Sequence, residues 1–286
     1  MLEAQMEKHF YICTMIKDEH PYVREWALYH KSLGFTKMFL YDDKSSHPYD
    51  DELGDLIESG FIEIRQVNDN RRSRQVRVFN KFIHSRDWGE EDWCAFLDVD
   101  EFLSIDGGEN IEKFLEPYKP YAGVMLIWKN YNANSRVETP KGISTMEAYT
   151  EEIQNPFIGP QMKPIAHLKY VNCFLRGPHY FNPVSGKIIV STEEKEFGEA
   201  TGYMYARSYK GAHIKHYITK SWEDWIRRLK RGNVTTGIRT VETFFNLNPD
   251  LNRRKDELIK DLDYDEFPTI KKDDSKWDGE AWSTQF

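Results

Sequence analysis

Short apolar runs alternate with helix-periodic segments through the first part of this chain, and the runs end in acidic residues. Residues 10–16 read as a strand. Pro21 stands where a helix can start, and Trp26, Tyr29, His30 and Leu33 follow at helical spacing before Gly34. Residues 37–41 form a second strand, followed by the loop residues Asp42, Asp43, Ser45, Ser46 and Pro48. Leu53, Leu56 and Ile57 mark a helix ending at Gly60, residues 61–67 a third strand, and Val76, Phe79, Asn80 and Ile83 another helical face. Residues 93–97 are a continuous apolar run that meets Asp98, Asp100 and Glu101. Buried runs of this kind between helices predict an α/β fold with a mostly parallel central sheet covered on both faces. Ligands of such sheets bind beyond the carboxyl ends of the strands, where Lys17, Asp18, Glu19, Asp42, Asp43, Asp98 and Asp100 all fall.

After about residue 130 the pattern loosens. Residues 130–142 read as a polar loop, 165–181 as strands with an aromatic-rich turn, and 188–190 and 212–218 as further strands. Ser221 can cap a helix whose face is Trp222, Trp225, Ile226 and Leu229 and which Gly232 ends. The basic residues of that helix, Arg227, Arg228, Lys230 and Arg231, read first as a solvated face and second as a surface for anionic lipid or a lipid diphosphate. The expected organisation is a single domain over 1–262, made of a regularly alternating half (9–128) and an appended region (129–262), with an acidic tail over 263–286.

Composition narrows the function. A chain of 286 residues can bury a core without staples, and its formal charge of -8 disfavours general nucleic-acid binding. Cys13, Cys94 and Cys173 are far apart and odd in number, which speaks against a disulfide framework or a thiolate zinc site. No apolar signal core opens the sequence, and apolar runs such as 123–128 are far short of a membrane span. A cytoplasmic protein with at most peripheral membrane contact is expected. Aromatic residues make up 14% of a chain that is 30% charged, so flat amphipathic rings suited to sugars occur beside an aromatic core.

Asp98-Val99-Asp100-Glu101 at a strand end offers hard oxygen ligands for Mg²⁺ or Mn²⁺. Residues i and i+2 share one side of a strand, so Asp98 and Asp100 are expected to face one ion. An Asp-x-Asp by itself equally describes a solvated acidic loop. Its place after a buried run, among other acids at one sheet edge, favours the ligand reading. A phosphatase of the haloacid-dehalogenase type wants Thr or Val four positions after the first Asp, where Phe102 stands, and there is no Walker A loop. His213 and His216 are the best candidates for a nitrogen ligand, with His167 and His179 behind them. Three residues apart on a strand they face opposite sides, so one of the pair reaches the ion.

Several linked motifs carry a resemblance. Met15-Ile-Lys-Asp-Glu-His-Pro-Tyr-Val-Arg-Glu-Trp-Ala-Leu-Tyr-His, Leu-Gly-Phe at 33–35 and Phe-Leu-Tyr-Asp-Asp-Lys-Ser-Ser at 39–46 are similar to glycosyltransferase family 92 and its bacterial family-2-like relatives. Gln75-Val76 with Asn80, Trp93-x-x-Phe-Leu-Asp-Val-Asp-Glu-Phe-Leu, and His216-Tyr-x-x-Lys-Ser with Arg231-Gly232 continue it in order, over roughly residues 10–233. The resemblance implies a GT-A, Rossmann-like nucleotide-sugar-binding fold. It also implies inverting transfer of a sugar, galactose or a related hexose, from a UDP-sugar to a saccharide acceptor, with Mn²⁺ or Mg²⁺, in surface polysaccharide or glycan synthesis. A lipid-linked acceptor fits the same reading. In the implied site Thr14, Lys17, Asp18, Glu19 and Asp43 lie near the base and ribose, and Gln75 and Asn80 help hold the nucleotide. Asp98 faces the ribose or metal, Asp100 and His216 bind the metal, and Lys220 lies along the diphosphate. The resemblance places the general base at Glu147, with Glu138 and Glu101 as runners-up, and a solvated surface carboxylate is the competing reading for Glu147. The family pattern usually has Asn at the position of Asp18, and Phe-Gly after the mid-chain Trp where this chain has Trp128-Lys-Asn-Tyr. The second departure leaves the acceptor open. A non-catalytic sugar-binding or polysaccharide-assembly protein with the same fold is the alternative class.

Overall fold

The computed structural model describes residues 8–71, 73–153, 161–175, 177–193, 196, 208–232 and 240–267. Its first half follows the alternation of the sequence. β1 (His9–Ile16), β2 (Lys37–Asp42) and β3 (Ile62–Gln66) pair in parallel, and β4 (Asp92–Phe96) lies parallel to β1 on its other side. The crossovers are the helices α1 (His20–Ser32), α2 (Asp50–Glu58) and α3 (Arg74–Ile83). The strands are apolar throughout because both faces are covered. Ile12, Met38, Leu40 and Ala95 pack with Val23 and Trp26 of α1 and Leu53 of α2. Their alternates Cys13, Phe39 and Phe96 pack with Phe79 and Phe82 of α3 on the opposite face.

The sheet continues with β5 (Glu101–Ile105), β6 (Gly123–Asn130), β7 (Met162–His167), β10 (Ile189–Ser191) and β11 (Ala212–His216), while β8 (Val171–Cys173) and β9 (Asn182–Pro183) form a separate ribbon. The strand order is β3-β2-β1-β4-β7-β6-β11-β5, with β10 beside β6. β7 runs antiparallel to both β4 and β6, and β5 antiparallel to β11, whereas β6 pairs in parallel with β10 and β11. The sheet is therefore mixed but mostly parallel, as the apolar runs predict. β6 and β7 approach so closely at Gly123 that a Cβ there would stand 2.6 Å from the carbonyl oxygen of Ile165.

β5 closes the sheet as an edge strand, and α1 satisfies its outer backbone groups. Trp26 Nε1 donates to the Glu101 carbonyl at 2.8 Å, the Tyr29 hydroxyl donates to the Leu103 carbonyl at 2.7 Å, and His30 Nε2 accepts the Leu103 N–H at 3.2 Å. The aromatic face of α1 is thus a clamp that fixes Glu101 as well as a core stripe.

The later helices are short: α4 (Ile111–Leu115), α5 (Thr145–Ala148), α6 (Trp222–Arg231) and α7 (Val241–Leu247). α6 starts in a capping box between Ser221 and Asp224, and its Trp222 and Trp225 pack on Phe244 and Phe245 of α7 in a satellite core. Of the later aromatic residues, Trp128, Tyr131 and Tyr180 are half-buried, but Phe181 and Tyr217 are sealed in the core and offer no face to a sugar. The tail expected over 263–286 lies outside the described residues from 268 onward. Among the described residues no helix is long and apolar enough to cross a membrane.

Candidate active site

The carboxyl ends of β1, β2 and β4 converge as the alternation requires, and α6 closes over them. Behind β4 the chain leaves the strand at Phe96 and turns, with the Glu101 N–H donating to the Asp98 carbonyl at 3.0 Å. Asp98 and Asp100 are therefore on a turn, and the expectation that they share one strand face does not apply. Asp98 is held instead by Gln75 Nε2 of α3 at 2.6 Å and by Lys163 Nζ of β7 at 2.8 Å. The group whose ligand atoms lie within 4.8 Å of one another is Asp100, Glu101 and His216, all buried. Asp98 is outside that group, and Glu101, offered by the sequence both as one of three hard oxygen ligands and as a runner-up base, is inside it.

Lys163 is wholly buried, and Asp98 with Glu101 at 3.4 Å keeps its ammonium above the ordinary value in spite of burial. Glu101 is also wholly buried, and burial pushes its carboxyl well above the usual range. The Asp98 and Asp100 charges add to that, against the pull of Lys163. One of its oxygens accepts the Asp98 N–H at 2.9 Å, and Oε1 is buried with no hydrogen-bond partner. His216 stands on the inward face of β11. Its Nδ1 meets Asn130 Oδ1 at 2.7 Å, its ring centroid lies 3.9 Å from that of Trp128 with the planes tilted by 39°, and its Nε2 lies 3.8 Å from Asp100 Oδ2. With Nδ1–H donated to Asn130, the Nε2 lone pair faces Asp100. His213 is on the other face of the strand, edge-on to the ring of Tyr209, as the three-residue spacing requires. Two carboxylates and one imidazole, with a buried orphan oxygen among them, fit a divalent cation of the Mn²⁺ or Mg²⁺ kind.

A second group, His20, His47 and Glu52, also brings ligand atoms together. The imidazoles of His20 and His47 stack with centroids 3.6 Å apart and planes 11° from parallel, and Tyr49 stacks on His20 at 4.1 Å. A metal in the plane of one ring would lie outside the plane of the other, so this arrangement is an aromatic stack rather than a ligand set.

Next to the cation group is a small cleft, open to solvent and lined by Asp18, Glu19, Tyr22, Lys220 and the arginines of α6. Arg228 Nη2 donates to Asp100 Oδ2 at 2.8 Å and Nη1 to the Ile218 carbonyl at 2.7 Å. Arg231 donates to Glu19 Oε1 at 2.6 Å and to the Lys17 carbonyl, while Lys17 Nζ donates to the Arg231 carbonyl at 3.2 Å. The solvated basic face read from sequence is thus divided, because Arg228 and Arg231 follow the buried side of the helix into the cleft. Lys220 is buried at φ 54°, its Nζ 3.3 Å from the centroid of the Tyr22 ring. It has no hydrogen bond or ion pair to another described residue. Burial pushes its amine down to about 8, with Glu19 pulling up and Arg228 down. Asp18 is left-handed as well, at φ 48°, and its Oδ1 accepts the Ser46 N–H at 2.7 Å. Burial raises its carboxyl, but the Ser46 bonds and the Lys17 and Arg231 charges outweigh that and hold it low. Two non-glycine residues in this conformation along one cleft mark a site the surrounding structure holds under strain. Asp224 organises the cleft wall: its Oδ2 accepts from the Tyr22 hydroxyl at 2.5 Å and the Ser221 hydroxyl at 2.6 Å, and its Oδ1 from Arg227 at 2.6 Å.

The remaining expected residues are placed as follows. Asp43 is buried beneath Arg74, which donates to Oδ2 at 2.9 and 3.1 Å. Asn80 is committed to the backbone of Phe174 through both halves of its amide, at 2.8 and 2.7 Å, which makes it a structural clip. Thr14 is buried on the face of Ile12 and Ile16, beneath α1, and its hydroxyl has no partner. Glu147 is exposed and closes a capping box with Ser144, whose N–H and hydroxyl hold its carboxyl below the ordinary value. His167 is a core residue stacked on Trp93, and His179 is bonded to the Met162 carbonyl. Lys163, Tyr22 and Asp224 were not found from sequence, and Arg228 was named only within the basic face of its helix. For Arg228 a signal existed, since Trp222, Trp225 and Arg228 recur at three-residue spacing on one helix face.

The model of glycosyltransferase family 92 matches residues 8–265. The chain is similar to a glycosyltransferase family 92 protein of Oryza sativa subsp. japonica, 24% identical over 180 residues that cover 56% of this chain and 30% of that protein. It is similar to another of Ricinus communis, 28% identical over 111 residues, covering 39% of this chain and 20% of that protein. The matches thus span less than a third of the length of these curated relatives. Among solved structures, S. aureus TarS 1-349 overlaps with a TM-score of 0.38 at 13% identity, covering 90% of this chain and 76% of that one. The same fragment in complex with UDP-GlcNAc gives 0.36 at 12% identity, covering 88% and 70%. Overlap at that level carries no argument for this chain.

Proposed function

The chain belongs to glycosyltransferase family 92, and we propose that it transfers a hexose, galactose or a relative, from a UDP-sugar to a saccharide hydroxyl with the help of Mn²⁺ or Mg²⁺. The observation that supports this reading most is the buried Asp100–Glu101–His216 group abutting a basic cleft at the carboxyl end of the sheet. The reading takes the domain as a GT-A fold. A divalent cation held by those residues would neutralise charge developing on the departing diphosphate.

The chain's own residues have separable tasks in this reading. Lys220, the cation of the cleft without a carboxylate partner among the described residues, receives the diphosphate, and Arg231 flanks it from Glu19. Asp18 and Asp43 border the base and ribose. Gln75 and Lys163 orient Asp98, whose carboxylate is a third exposed and so open to a ribose or sugar hydroxyl. Inverting transfer also needs a base for the acceptor proton. Glu147 would have to leave its cap with Ser144 to serve, and Glu147→Gln tests it: transfer at the wild-type rate removes it from that role.

A thermal-shift panel of nucleotide sugars, followed by transfer and hydrolysis assays with and without Mn²⁺, tests the reading. Stabilisation by UDP-hexose with Mn²⁺ and turnover lost in Asp100→Ala, with the melting temperature of the variant measured alongside, is the expected result. A protein that binds neither Mn²⁺ nor UDP is not a nucleotide-sugar transferase. UDP-sugar binding without turnover makes it the non-catalytic member of the alternative class.

A further inference from the structure

Arg228 occupies a position that neither cation binding nor diphosphate binding explains alone. It takes Asp100 Oδ2, the same oxygen that faces His216 Nε2 across 3.8 Å, so guanidinium and cation compete for one edge of one carboxylate. The neighbouring basic residues are differently engaged: Arg227 pairs with Asp224, Arg231 with Glu19, and Lys163 with Asp98 and Glu101. Arg228 therefore serves as counter-ion for Asp100, and its side chain is almost wholly buried against it. A divalent cation added to Asp100, Glu101 and His216 would stand beside that guanidinium, and two positive groups so close in a buried site repel strongly. The repulsion is relieved where Arg228 can turn to an anion, and the cleft it lines, with Lys220 and Arg231, is built for one.

We propose that Arg228 couples the two ligands: it holds Asp100 while the cation is absent, and yields that oxygen when a diphosphate arrives to accept its N–H groups. Cation and diphosphate then bind cooperatively, each raising the affinity for the other by the same factor. The inference rests on the nucleotide-sugar reading and adds the binding linkage and the residue responsible for it. Its consequence is that free Mn²⁺ binds weakly and the loaded site forms only with the donor, which keeps the metal from occupying the site unproductively.

The test needs no turnover. Mn²⁺ affinity of the full chain is measured from the resonance of free aqueous Mn²⁺, with and without UDP, and UDP affinity by calorimetry with and without Mn²⁺. In the wild type UDP should tighten Mn²⁺ binding by a factor in the range of roughly 5- to 150-fold, and Mn²⁺ should tighten UDP binding equally. Arg228→Met should bind Mn²⁺ more tightly than wild type when UDP is absent, and the mutual enhancement should fall below the wild-type value, leaving only the direct attraction of cation for diphosphate. Arg228→Lys, which keeps the charge without the two-pronged contact, should give an intermediate enhancement and serves if the Met variant does not fold. An unchanged enhancement in either folded variant, or Mn²⁺ binding no tighter in Arg228→Met, overturns the coupling and leaves the transferase reading standing. A wild type that binds neither ligand overturns both, and one that binds both independently overturns the coupling alone.

Discussion

Replacing Lys163 by Met removes the ammonium that lies between Asp98 and Glu101 and replaces it by a side chain of similar length that fills the same space. Lys163 and Glu101 are both wholly buried, 3.4 Å apart, while Asp98 is a third exposed and can turn to water. The substitution therefore isolates Glu101, which keeps the Asp98 N–H at 2.9 Å and already has one oxygen without a partner. Breaking a buried pair by deleting one partner costs about 3–5 kcal/mol, because the remaining charge has neither water nor counter-ion. With a urea slope of about 3 kcal/mol per molar, the midpoint should fall by about 1–1.7 M. The charge explanation carries a sign in pH. Without Lys163 the Glu101 carboxyl rises further above its ordinary 4.5, and a raised carboxyl favours the folded state only while protonated. The deficit should accordingly be smallest below pH 4.5 and should grow as pH rises through the folded-state value. Lys163→Met/Glu101→Gln, which leaves no charge to strand, should recover at least half of the loss at pH 7. The assay is urea unfolding followed by tryptophan fluorescence between pH 4 and pH 8. A single variant within about 1 kcal/mol of wild type, or a double variant no better than the single, would refute the reasoning, since the cost would then be packing and not charge.

Burial pushes His30 down from 6.5 to about 4, in opposition to its Trp26 carbonyl bond, because the neutral ring is wedged between α1 and β5. A depressed histidine contributes stability above its unfolded value and loses it as pH falls through the folded value. About 3 kcal/mol should therefore disappear between pH 6.5 and pH 4 in wild type but not in His30→Gln, as read by urea midpoints at the two pH values. Gly123→Ala puts a Cβ 2.6 Å from the Ile165 carbonyl oxygen, a backbone atom that cannot move without parting β6 from β7. It should destabilise by about 1–3 kcal/mol in thermal melts, and a variant as stable as wild type would mean that β6 and β7 can part there at no cost.

The alternation of apolar runs and helical faces was enough to place β1 to β4, α1, α3 and the end of α2 within a residue or two, since both periods are local consequences of burial. The cap at Ser221 and the stop at Gly232 placed α6 in the same way. β5 was not legible, because Asp98, Asp100 and Glu101 read as the acidic end of the preceding strand, whereas a turn separates two strands there and Glu101 already opens the second. Asp98 and Asp100 look alike in sequence, and nothing local says that Gln75 and Lys163 take the first while Arg228 and His216 meet the second. Glu147 looked like a free carboxylate, although Ser144 three residues before it is the signature of the capping box that holds it.

What the chain's own order determined is the set of local periods, the turn chemistry and the gathering of acids where parallel strands end. What only the tertiary structure decided is which charge meets which. Lys163 reaches Asp98 across 65 residues and Arg228 reaches Asp100 across 128, each carried by a long-range pairing: β7 inserted backwards between β4 and β6, and α6 folded over the sheet end. A period reports only on neighbours within a turn or a strand. Buried charge must find its counter-charge wherever the chain supplies one, and that choice is made by packing the whole sheet at once.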